Sequence, residues 1–219
     1  MMTDLEKTFS EIDKQLDLDN QKREELIIIS RSAIRCSSIA IRHLHRKEIS
    51  DAQKKIQENE EIISRINELA LEMNPYPSGM VNSANQEYVE AIFFYSFLQG
   101  KPFPCFTELK VPYLAYLHGI PDFIGELRRF ILDTLRKKDS IDLAVKALDL
   151  MDELYSLLVT LDYPAGLTHN LRKKTDFVRN LTEKTRGDVT LALNRLDLVN
   201  TLNKTLQSYL PSNTRKEQE

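Results

Sequence analysis

Two acids stand three residues apart in a stretch that is otherwise almost continuously apolar: Glu87 and Glu90, within Gln86-Glu87-Tyr88-Val89-Glu90-Ala91-Ile92-Phe93-Phe94-Tyr95-Ser96-Phe97-Leu98. At helical periodicity that spacing sets both carboxylates on one face, near Ala91, Phe94 and Phe97. A helix apolar nearly all round is a buried one, and a buried carboxylate without a partner is costly. Two side by side need protons, Lys or Arg side chains, or a metal cation. A buried salt bridge and a divalent ion are both open readings of this pair. Asp122 and Glu126, four residues apart, make a second pair on one helical face. Arg129 and Asp133 continue that stripe, so taken alone the pair reads better as a solvated, ion-paired surface. The two pairs together say more. If their helices face each other, four carboxylates converge, and an all-oxygen donor set suits Mg²⁺ or Mn²⁺, the hard ions that support phosphodiester hydrolysis. A ferritin-like di-iron site would want Glu-x-x-His, and none of His43, His45, His118 or His169 follows a Glu by three residues.

Helices must position these acids. The chain has 6 glycines and 8 prolines, most of the prolines where the apolar period also breaks, which is the pattern of long helices. Leu5, Phe9, Ile12 and Leu16 begin a first helix that runs to about His45, with Ile27-Ile28-Ile29 read as buried helix rather than strand. A second is expected from an N-cap at Ser50 to Met73, closed by Asn74-Pro75-Tyr76-Pro77-Ser78-Gly79. A third covers Asn82 to Leu98 and stops at Gly100. A fourth opens at Pro112, is interrupted or kinked at Gly119-Ile120-Pro121, and resumes from Asp122 to Lys138. Asp139 or Ser140 caps a fifth, with a stripe of Ile141, Val145, Leu148, Tyr155 and Val159. Two more are expected, one closing at Gly187 and the other running from Asp188 to Tyr209. That last helix carries more apolar residues than one intramolecular face requires, as a subunit interface would explain. The expectation is an all-α chain of about seven helices, a single domain over 1–210 with a polar, disordered tail over 211–219.

Composition limits the function classes. The 219 residues are 42% hydrophobic, ample for a continuous core, and the formal charge of -3 supplies no overall basic field. Nucleic-acid binding would have to come from local Lys and Arg clusters. Cys36 and Cys105 show no disulfide or zinc spacing, and a reducing compartment follows. The charged N-terminus and the lack of any run near the roughly 18 apolar residues of a spanning helix point to a cytoplasmic protein.

The two acidic segments carry a resemblance. Gln86-Glu87-Tyr88-Val89-Glu90-Ala91 resembles the same run in the Trax branch of the translin/Trax family, and Gly119-Ile120-Pro121-Asp122-Phe123-Ile124-Gly125-Glu126-Leu127-Arg128-Arg129 resembles that family's second motif. Weaker similarity covers most of the chain. The resemblance implies about seven helices assembled into a hollow octameric ring, with Mg²⁺-dependent endonuclease activity on single-stranded RNA inside it. On the matching positions Glu87, Glu90 and Asp122 would be the catalytic acids and metal ligands, with Glu126 a fourth ligand or water-orienting group. Pro121 departs from the small residue of Trax-like sequences, which leaves the chain path near Asp122 open. The region between the motifs is shorter than in animal Trax, and the basic N-terminal extension is missing. The resemblance therefore points to a compact, archaeal-type homologue that assembles with itself, every subunit active.

For the nucleic acid, Arg31, Arg35, Arg42 and Arg46 recur at spacings of four, seven and four, a basic stripe with Ser38 between them. No acid occurs between Ser30 and Lys47, so these cations lack local partners. They suit sequence-independent, salt-sensitive binding of single-stranded RNA, or single-stranded DNA. Arg129 is a further candidate, one turn from Glu126. Arg172-Lys173-Lys174 reads instead as exposed-face ion pairing, and His118 as a capping or packing residue. Two other classes stay open. A translin-like binding module would hold single strands with no divalent requirement, and a structural assembly would pair its acids internally with Arg.

Overall fold

The expected periods become helices almost without remainder. Residues 2–73, 75–137 and 141–209 are described by this computed structural model, and among them the chain forms seven helices and no strand. They are α1 (Met2–His45), α2 (Ile49–Leu71), α3 (Ser78–Gln99), α4 (Tyr113–Lys137), α5 (Ile141–Val159), α6 (Ala165–Thr168) and α7 (Leu171–Tyr209). The proposed cap at Asp139 or Ser140, Lys138 at the end of the fourth helix, Asn74 in the loop and the 211–219 tail lie outside the described residues.

α1 buries Leu26, Ser30, Ala33, Ser37, Ala40 and Leu44, alternating steps of four and three, and the small residues among them let α2 and α3 lie close. Asn59 of α2 donates to Ser37 Oγ at 2.8 Å in that interface. Helix is the right reading of Ile27-Ile28-Ile29, but burial of the whole run is not, since Ile28 is 66% exposed. Three consecutive helical residues fan over about 200° and cannot all face one neighbour. α2 is capped at Glu48 rather than Ser50, with no side-chain cap bond. α3 ends as expected on Gly100, whose φ of 61° is left-handed and cheap only for glycine. The amides of Asn67 (α2) and Asn85 (α3) bond each other at 2.8 and 3.1 Å and fix the register of the acidic helix on its neighbour.

Two expectations fail in the second half, and the interruption expected at Gly119-Ile120-Pro121 is absent. α4 runs unbroken from Tyr113 to Lys137 with Pro121 inside it. The proline removes one helical donor, yet Pro121 is buried between flanking turns that also bury Gly119, Phe123 and Ile124, and packing on both sides carries the helix across. α5 turns a slightly different face inward, burying Ala144, Ala147, Met151, Leu154 and Leu158 alongside Leu148, while Val159 is exposed. α7 passes straight through Gly187, so the expected pair of helices is one, and the short α6 restores the count. Buried Leu171, Thr175, Val178, Thr182, Thr185 and Val189 repeat at alternating four and three, a stripe continuous across the glycine and worth more than the roughly 1 kcal/mol a mid-helix glycine costs.

α4 is the hub, packed on α3, α5 and α7. Phe93 and Phe97 of α3 interlock edge to face with Phe123 and Phe130 of α4 at centroid distances of 5.5 to 6.5 Å. Toward both ends of the described residues, large apolar side chains stand exposed: Leu5, Phe9, Ile12 and Leu16 on α1, and Leu191, Leu198, Val199, Leu202 and Leu206 on α7.

Candidate active site

One contact decides how the acids meet. A Cβ on Gly119 would lie 2.9 Å from the Gln86 carbonyl oxygen and 2.8 Å from Val89 Cγ1, so only glycine lets α4 cross this close to α3. The crossing sets the turn that bears Gln86, Glu87 and Glu90 against the turns that bear Asp122 and Glu126. Sequence reasoning marked Gly119 as part of a break or kink. Its function is a close approach.

The four carboxylates share one electrostatic neighbourhood. Glu90 is 8% exposed, and its carboxyl is pushed up to about 9, first by burial and then by the charges of Glu87, Asp122 and Glu126. Glu87 is raised for the same reasons, burial first and Asp122 next, with Lys174 pulling the other way. Near neutral pH Glu90 is therefore a neutral acid unless an added cation sits beside it.

Protein cations serve mainly the α4 pair. Lys174 Nζ lies 2.9 and 3.0 Å from the two Asp122 oxygens and donates at 3.1 Å to the His118 carbonyl. Gln86 Nε2 also donates to Asp122. Glu126 pairs with His45 Nε2, whose ring is tilted on Phe94 at 4.6 Å, and with Arg129 at 3.7 Å. His118 is buried enough that its pKa is lowered, and Nε2 donates to the Thr168 carbonyl at 2.9 Å, which ties α6 to α4. Lys174, His45 and Gln86 escaped sequence reasoning. Lys174 was assigned to an exposed face because Asp176 is near in sequence, whereas its partner is 52 residues away on α4. The signal that could have found it is the buried period itself, since Leu171, Thr175 and Val178 orient α7 toward α4.

Oxygen-only donors and a carboxyl this far raised fit a hard divalent cation in kind. As the side chains stand, no three Asp, Glu, His or Cys among the described residues form a ready ligand set, because Asp122 and Glu126 are turned to Lys174, His45 and Arg129. Holding an ion would require those acids to exchange protein partners for it.

The basic stripe is exposed and leads to the acids. Arg31, Arg35, Arg42 and Arg46 are all exposed, and none forms an ion pair among the described residues. His45, between the last two, is the α1 residue that touches Glu126, so Arg42 and Arg46 flank the cluster, with Arg31 about 20 Å back along the helix. Arg129 is exposed and borders a shallow groove with Gly125, Leu132, Asp133 and Arg136, continuing from Glu126 along α4. No described helix is long and apolar enough to cross a membrane.

Comparison with known proteins gives a consistent picture. The Translin family pattern matches residues 21–189. The chain is similar to an uncharacterized protein of Methanocaldococcus jannaschii, 34% identical over 80% of this chain and 78% of the relative. It is also similar to the translin-associated protein X homolog of Schizosaccharomyces pombe, 27% identical over 84% and 86% of the two chains. Among solved structures, AfC3PO in complex with duplex RNA superposes with a TM-score of 0.77 at 30% identity, covering 86% of this chain and 98% of that one. Apo-NeC3PO gives 0.75 at 25% identity, covering 84% and 96%.

Proposed function

From the premise that the chain belongs to the Translin family, as a compact Trax-like member, we propose that it is a metal-dependent endoribonuclease acting on single-stranded RNA, with Glu87, Glu90 and Asp122 as the working acids. One observation carries the reading: Glu90 is buried beside Glu87, Asp122 and Glu126 with no ion pair of its own among the described residues, an excess of negative charge that Lys174 offsets only in part and that raises its carboxyl. Glu87, Glu90, Asp122 and Glu126 would hold Mg²⁺ or Mn²⁺. When bound, the ion would polarise the phosphodiester and activate water for attack on phosphorus. The chain's own residues do the remaining work. Gln86 steadies Asp122, His45 and Arg129 hold Glu126 until an ion takes their place, and the Gly119 crossing holds the two helices in register. Arg31, Arg35, Arg42 and Arg46 would grip successive phosphates and feed the strand toward the acids, a contact that reads no base.

Subunits that assemble around the RNA would cover the bare apolar faces of α1 and α7, and a closed homo-oligomeric ring of eight is the arrangement proposed. The AfC3PO complex holds duplex RNA, so both strand states belong in the test. Purified protein with labelled single-stranded or duplex RNA, with and without Mg²⁺, should cut the single strand only with the ion. Cleavage that survives Glu90→Ala unchanged removes the proposal. Binding without products, indifferent to Mg²⁺, favours the translin-like module, a reading helped by the cations already paired with Asp122 and Glu126.

A further inference from the structure

Lys174 occupies a position that the proposed activity does not account for. Its ammonium spends all three protons on one small seat: both oxygens of Asp122 at 2.9 and 3.0 Å and the His118 carbonyl at 3.1 Å. The seat is built. The His118 carbonyl, one turn before Asp122 on α4, accepts the ammonium alongside the carboxylate, so backbone and side chain of the same helix face converge on it. α7 brings the lysine in on a buried flank, between Leu171 and Thr175. Asp122 in turn accepts from Gln86 on one of the same oxygens, so both of its oxygens already have protein partners.

We propose that Lys174 is a resident counter-ion that competes with the divalent cation for Asp122, holding down the affinity of the ion and leaving its seat when the ion binds. This rests on the metal-dependent reading above and specifies how the site is regulated. Both cations seek the same two oxygens, and an ammonium beside a bound divalent ion is repelled by it. The geometry makes the exchange local, because Lys174 is partly exposed and its side chain can swing to solvent while the α7 backbone stays packed. Once displaced, the ammonium is a free cation at the edge of the site, suited to an oxygen of the incoming phosphodiester.

The test is Mn²⁺ titration of full-length protein, followed by the electron paramagnetic resonance of free Mn²⁺. Lys174→Met should bind Mn²⁺ on the order of tenfold more tightly than the unaltered chain, the scale of losing one hydrogen-bonded charge pair. Lys174→Arg, which keeps a cation over Asp122, should stay within about twofold to threefold of it. A second measurement needs no variant: acetylation of Lys174 with limiting acetic anhydride, read by mass spectrometry, should rise on adding Mg²⁺ while that of exposed Lys54 does not. Equal Mn²⁺ affinity in the unaltered and Lys174→Met chains, or Lys174 labelling indifferent to Mg²⁺ when Mn²⁺ binds, overturns the competition and leaves the metal site standing. Absence of Mn²⁺ binding in both chains overturns the metal site itself, and the competition with it.

Discussion

The α3 acids and the α4 acids are chemically alike and lie against each other, yet the fold treats them in opposite ways. Glu87 and Glu90 sit on a helix with no basic residue, point into the α3–α4 contact and have their carboxyls raised, Glu90 to about 9. Asp122 and Glu126 are partly exposed and receive Lys174, Arg129 and His45. The difference teaches where an outside cation is needed. On α4 the acids already have partners to exchange, whereas on α3 no basic side chain among the described residues pairs with Glu87 or Glu90, and Lys174 relieves them only from beside Asp122.

Single replacements put that contrast to the test. The largest effect should come from Glu90→Ala, which lowers Mg²⁺-dependent cleavage by more than about 100-fold, since even outer-shell partners of metal ligands typically cost 10–100-fold. Glu126→Ala should cost less in the same gel assay. Equal losses would erase the distinction between the pairs.

The next effect is on stability without divalent ions, and its sign follows from protons. The Glu90 carboxyl is raised in the folded chain, from 4.5 to about 9. Below about 4.5 it is protonated in both folded and unfolded chains and costs nothing extra. Between that pH and about 9 the unfolded chain sheds the proton while the folded one keeps it, so stability falls as pH rises. Glu90→Gln removes that penalty. It should stabilise the chain in urea titrations with EDTA, by an amount that grows across the window by up to about 1.4 kcal/mol for each pH unit and reaches several kcal/mol at pH 9. Glu126→Gln should do the reverse, losing up to about 1 kcal/mol with its Arg129 and His45 contacts. Two variants shifting in the same direction would end the comparison.

Gly119→Ala tests the crossing that makes the two pairs one site. A methyl pressed on the Gln86 carbonyl should cost about 1–3 kcal/mol by denaturant titration and lower cleavage further than the stability loss explains. Smallest of all, single replacements of Arg35 or Arg42 by Gln should weaken RNA binding a few-fold, equally for all sequences, and flatten the salt dependence by about one counter-ion each. A change in base preference would contradict a backbone grip.

Much of this was legible along the chain because it is local. The helical periods, the stop at Gly100, the two acid pairs and the bare Arg stripe are matters of spacing within a few turns, where a residue's neighbours are its neighbours in sequence. Even the errors were local in origin. Gly187 and Gly119-Ile120-Pro121 carry true helix-breaking tendencies, but a buried stripe that continues on both sides outweighs a cost of about 1 kcal/mol at Gly187, and helix packing does the same at Pro121.

Sequence alone, then, determined the helices, the acids and the family they resemble, since periodicity and motif are one-dimensional properties. Tertiary structure decided which acids are starved of cations and which are served. Lys174 reaches Asp122 across 52 residues and His45 reaches Glu126 across 81, on helices whose mutual rotation is set by the packing of the whole core. Charge compensation depends on distances of 3 to 4 Å in space, and no spacing along the chain encodes those.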